Sequence, residues 1–87
     1  MTHEQAKAET MAAKEAVVKA LEAAGFGYMA FDLGKTYSAD GLHRIGRTLL
    51  GYADIPGAGK VMAAAERLNL AIGAWFQASV EIAEKSA

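Results

Sequence analysis

Seven residues, Val61, Ala65, Leu68, Ile72, Trp75, Ser79 and Ile82, follow one another at strict 4-3-4-3 spacing. That repeat belongs to a helix that keeps one seam against a partner, and it constrains the chain more than any other feature. It predicts a helix from about Lys60 to Lys85, roughly 39 Å long at the rise of an α-helix. Beside the seam run Ala64, Ala71 and Ala78, small enough for another helix to come close. In a chain of 87 residues, a rod of that length must find its cover in a second long helix, in another copy or in a partner, unless it bends at Gly73.

A second long helix is present. From Thr2 to Ala24 there is no glycine or proline, and Ala, Glu, Lys, Gln and Met dominate, all strong helix formers. Ala13, Val17, Ala20, Leu21 and Ala24 share one face, while Glu15 and Lys19 form an i,i+4 pair outside it. Thr2 followed by Gln5 reads as a capping box, and Gly25 as the residue that closes the helix. A shorter middle helix follows from Ser38 or Asp40 to about Tyr52, with Leu42, Ile45, Leu49 and Tyr52 inward and His43, Arg44 and Arg47 outward. Gly41, Gly46 and Gly51 each cost it about 1 kcal/mol against alanine, so packing must hold it.

Residues 25–37, GFGYMAFDLGKTY, break the helical pattern with three glycines and four of the chain's seven aromatic residues. Met29, Phe31 and Leu33 alternate with Tyr28, Ala30 and Asp32, the period of a half-buried strand. No other segment could supply a ladder. The alternative is an irregular or short helical connector whose aromatic side chains plug the end of the core. The expected architecture is therefore all-α: a single domain over residues 1–87, with long first and third helices, a short middle helix, and an aromatic, glycine-rich connector.

Composition narrows the function classes. Of the residues counted as hydrophobic (53% of the chain), 20 are alanine, which favours helix more than it builds core. With no cysteine there is no disulfide framework, thiolate metal site or cysteine nucleophile. Nine basic residues face ten acidic ones, a net charge of -1, so the whole molecule has no field to draw nucleic acid or an anionic membrane. The first residues carry no basic stretch followed by an apolar run, and Glu66, Arg67, Asn69 and Gln77 interrupt the most apolar segment, so a soluble, cytoplasmic chain is expected.

No constellation points to catalysis or a cofactor. Gly57-Ala58-Gly59-Lys60 has Asp54 where a phosphate loop needs its first glycine and Val61 where it needs Ser or Thr. His3 and His43 stand forty positions apart with no metal-ligand spacing around either, and neither Ser38 nor Thr48 falls beside His43 on a helix. Asp40-Gly41-Leu42 faintly resembles the attachment site of acyl carrier proteins, but glycine replaces the serine that would carry the arm. Residues 49–68, LLGYADIPGAGKVMAAAERL, resemble a helix-turn-helix, with a turn about one residue too long and a reading helix that offers little to base edges. Lys35, Arg44, Arg47, Lys60 and Arg67, with His43, could supply phosphate contacts for a DNA-binding regulator.

The expected function is that of a non-enzymatic protein–protein interaction module, a small adaptor, regulator or inhibitor of the kind phages and mobile elements encode. Its contacts are expected at Trp75, Phe76, Tyr28, Phe31 and Tyr37, with Arg44 and Arg47 as polar anchors. A homodimer along the third helix and a structural subunit of a larger assembly are related expectations.

Overall fold

A computed structural model describes residues 2–51 and 59–86. It contains four helices: α1 (His3–Ala23), α2 (Gly27–Gly34), α3 (Ala39–Leu50) and α4 (Gly59–Ser86), and no strand among the described residues. The all-α expectation holds. The count of three helices does not, because the connector folds as a helix of its own.

Local sequence sets the ends of α1. Thr2 accepts from the Gln5 amide (3.1 Å) while the Gln5 side chain accepts from the Thr2 amide (2.9 Å), the two reciprocal bonds of a capping box. At the other end Gly25 has φ 89°, a left-handed conformation that costs glycine nothing. The Gly25 amide donates to Glu22 (3.1 Å) and the Phe26 amide to Leu21 (2.9 Å), the paired bonds of a Schellman motif. Phe26 packs on the core that contains Leu21, which adds the apolar contact that usually accompanies that motif.

The chain turns at once into α2. Ala30 and Leu33 are buried, three residues apart, while Phe31 is 62% exposed. The strand reading put Phe31 on the same side as Leu33, so the observed period is helical and not two. The reason is hydrogen bonding: a lone strand leaves its amides and carbonyls without a ladder, whereas a short helix bonds its inner groups to one another and leaves only its ends to be satisfied by others.

α4 is the spine, about 42 Å long for its 28 residues. α1 lies antiparallel to it, with His3 beside Trp75 and Glu9 beside Arg67. α3 lies antiparallel on another flank, with His43 beside Phe76 and Gly46 against Asn69. Val61, Ala65, Leu68 and Ile72 are at most 1% exposed, as the seam predicts. Val17, Leu21, Leu33, Leu42 and Leu49 close over them. Each such side chain contributes about 1.5–3 kcal/mol on burial.

Two features depart from the expected faces. The seam fails at Ile82, which is 48% exposed: α1 begins beside Trp75, so the last turns of α4 run past its end. Ile45 is only half-buried, and Gly46 takes the inward place on α3. A Cβ on Gly46 would meet the Asn69 amide at 3.0–3.3 Å, so the absence of a side chain here lets α3 pack against Asn69 of α4. Tyr52 and the turn of the helix-turn-helix resemblance lie outside the described residues.

Candidate functional site

α2 places its apolar half against α1 and presents its aromatic half to solvent. Tyr28 and Phe31 line one shallow concavity with Gly27. Their exposures, 90% and 62%, with 67% for Tyr37, mark them as aromatic surface the core does not use. Tyr28, Phe31 and Lys35 fall at i, i+3 and i+7, one stripe of the helix. The Lys35 ammonium lies 4.1 Å from the Phe31 ring centre, within cation–π range.

Tyr37 is held differently. Lys14, on α1, is buried (5% exposed), and its Nζ donates to the carbonyls of Gly34 (3.0 Å) and Thr36 (2.9 Å) at the end of α2. The same Nζ sits 3.5 Å from the Tyr37 ring centre. One ammonium therefore satisfies carbonyls that the helix leaves open, complements the negative end of α2 and seats the tyrosine. Burial pushes its pKa below the ordinary 10.5, and the neighbouring Glu15 carboxylate counters part of that shift.

Lys14 was absent from the sequence-based face of the first helix. The signal was there: Thr10, Lys14, Val17 and Leu21 share 4-3-4 spacing, and all four are buried. A lysine on an apolar face points to a carbonyl cluster across the interface.

The second side of α2 forms a groove with α3, lined by Met29, Asp32, Arg44, Ile45 and Thr48. Arg47 is exposed in the last turn of α3. Arg44 and Asp32 thus border the aromatic stripe with charge of both signs.

The remaining expected contact residues lie elsewhere. Trp75 is 8% exposed and its indole N–H donates to His3 Nε2 (3.1 Å), with the two rings edge to face. Phe76 is half-buried, edge-on to His43 at 5.9 Å between centroids. Of the basic residues, Arg67 is tied to Glu9 through Nε (3.2 Å) and Nη2 (2.9 Å) across α1 and α4. Lys35 follows the last residue of α2 and Arg44 lies on α3. Lys60 is exposed at the start of α4, with no ion pair among the described residues. The five are not gathered around one contact.

A second unpartnered surface lies on α4. Leu70 is 77% exposed and forms a ridge between two shallow grooves. One is walled by Ala63, Arg67 and Ala74 with Glu9 of α1, the other by Leu50 and Asn69. Among the described residues, no three His, Asp or Glu side chains are gathered as a metal ion requires, and no helix is long and apolar enough to cross a membrane.

Comparison with known proteins gives no match to any family model, curated protein or solved structure.

Proposed function

We propose that the chain is a non-enzymatic protein-interaction module that binds a larger protein through the outward face of α2. The observation that carries this reading is the exposure of Tyr28 and Phe31 on a helix whose other half is fixed in the core, with Tyr37 exposed just beyond its end. Aromatic side chains bring large contact area with few rotatable bonds, which is why they are enriched at interface centres. Lys14 and Lys35 restrain the Tyr37 and Phe31 rings, so little side-chain freedom remains to be lost on binding. Arg44, Arg47 and Asp32 form a polar margin around that centre, able to set orientation. Trp75 supports the fold from inside and is no part of the surface.

The test is site-directed photo-crosslinking in cells. A photoreactive amino acid at Tyr28 should trap one discrete protein, and Phe31→Ala should abolish the product. The same label at Lys19, exposed on the outer side of α1, should trap nothing. The Tyr28→Ala, Phe31→Ala double variant should retain its stability within about 0.5 kcal/mol, as surface changes usually do. A partner trapped from Lys19 and not from Tyr28 overturns the assignment. Salt-sensitive DNA binding lost in an Arg44→Ala, Arg47→Ala, Lys60→Ala variant would replace it with the regulator reading.

A further inference from the structure

We propose that the outer face of α4 is the contact by which two copies of this chain associate, antiparallel, about a two-fold axis. The proposal goes beyond the partner-binding role of α2 and uses a different surface.

On α4 a second 4-3 series runs outside the core seam: Ala63, Glu66, Leu70, Gly73, Gln77, Val80 and Glu84. Every member is exposed, and Leu70 and Val80 are the apolar members, 77% and 50% exposed. This face is what α1 and α3 leave open on their two flanks of the spine. Gly73 stands in its middle, and a Cβ built there meets nothing within 4 Å. Nothing inside the chain requires a glycine at that point, where it weakens a long helix.

Antiparallel pairing of two such faces gives each layer a suitable partner. With Leu70 of one copy over Gly73 of the other, the apolar knob meets the position with no side chain. The same register sets Ala63 against Val80, small against branched, and Glu66 against Gln77, which can donate to the carboxylate. Arg67 then faces Ala74 and keeps its bonds to Glu9. Lys60 falls between Glu81 and Glu84 of the second copy. None of these three charges has an ion pair among the described residues, and all three are exposed. By symmetry each contact occurs twice.

The opposite orientation fails on charge. A symmetric parallel pair sets each residue of the face against its own copy, so Glu66 meets Glu66 and Glu84 meets Glu84. The positive charge at the start of the face and the negative charge at its end therefore select the antiparallel pair.

The experiment is sedimentation equilibrium of the full chain over a concentration series, with charge reversal as the discriminating variant. The wild type should dimerise, and Leu70→Glu should weaken association by about tenfold or more. Lys60→Glu should weaken it, and Lys60→Glu combined with Glu81→Lys and Glu84→Lys should restore it, because the exchanged charges meet again across the axis. Those changes place acid at the start of α4 and base at its end, which suits the helix dipole, so loss of folding does not confuse the result. The register has its own readout in a chain without cysteine. Ala63→Cys with Val80→Cys in one chain should oxidise to a covalent dimer, whereas either cysteine alone should not. Within one helix these positions stand about 26 Å apart, too far to bridge. A chain that stays monomeric at millimolar concentration overturns the proposal. So does a dimer indifferent to Leu70→Glu, or one whose Lys60→Glu defect the triple exchange does not repair. Tyr28→Ala with Phe31→Ala should leave association unchanged, which separates this result from the partner-binding one.

Discussion

Gly46→Ala sets two measurable effects against each other at the crossing of α3 and α4. In an isolated helix the change is favourable, because alanine exceeds glycine by about 0.8–1.0 kcal/mol in a helix interior. Here the new methyl would stand 3.0 Å from Asn69 Nδ2 and 3.1 Å from Oδ1, closer than van der Waals contact allows. Asn69 cannot swing aside freely, since its Nδ2 donates to the Ala65 carbonyl at 2.8 Å. Either the amide moves and gives up a bond worth about 0.5–1.5 kcal/mol net, or it stays and the extra volume in the packed contact costs about 1–3 kcal/mol. The steric side wins, and Gly46→Ala should destabilise the chain by up to about 2 kcal/mol. With the amide removed by Asn69→Ala, the same change should stabilise by about 1 kcal/mol. Urea unfolding followed by far-ultraviolet circular dichroism, on the wild type, both single variants and the double variant, gives a coupling energy of about 1–3 kcal/mol. Gly73→Ala, in open space within the chain, is the control for propensity when unfolding is followed at concentrations low enough to keep the chain monomeric. If Gly46→Ala stabilises equally in both backgrounds, the helices do not cross where Gly46 meets Asn69, and the packing described for α3 is wrong.

Two further perturbations test single side chains. Lys14 has its pKa lowered, chiefly by desolvation, so between the folded and unfolded values the unfolded chain binds more protons. The stability Lys14 contributes should therefore rise as pH increases through that window and level off above the ordinary value of 10.5. Comparing wild type with Lys14→Met by denaturant unfolding at several pH values isolates this term, and a difference that falls with rising pH refutes it. His3→Ala removes the acceptor of the Trp75 indole N–H, which should cost about 0.5–1.5 kcal/mol. It should also shift the emission of the chain's single tryptophan to longer wavelength, and an unchanged spectrum would place His3 away from the indole.

Helix ends and the long seam were legible because their causes lie within a few residues. The Thr2 and Gln5 capping box, the left-handed Gly25 and the Ser38 cap, which accepts from the Gly41 amide at 3.1 Å, need no distant partner. The series from Val61 to Trp75 was legible because burial at fixed spacing is a property of one helix. The series misled at Ile82, since periodicity carries no information on where the covering helix begins. The α2 segment was legible only as a choice, because an alternating pattern over six residues fits both a strand and a short helix; the missing ladder partner favoured the helical connector, and that is what forms. Tyr28, Phe31 and Tyr37 were named from residue type, but their exposure came from the way α2 turns against α1.

The sequence by itself determined that the chain is helical, where α1 and α3 are capped, and which line of α4 faces inward, since each rests on backbone bonding or on a period of 3.6 residues. Tertiary structure decided the rest. It set His3 against the Trp75 indole, drew Lys14 across to the carbonyls at the end of α2, made Gly46 a contact instead of a weakness, and left the outer line of α4 uncovered. These outcomes depend on residues 20 to 72 positions apart brought together by antiparallel packing, and the free energy of such a contact exists only after the helices have met.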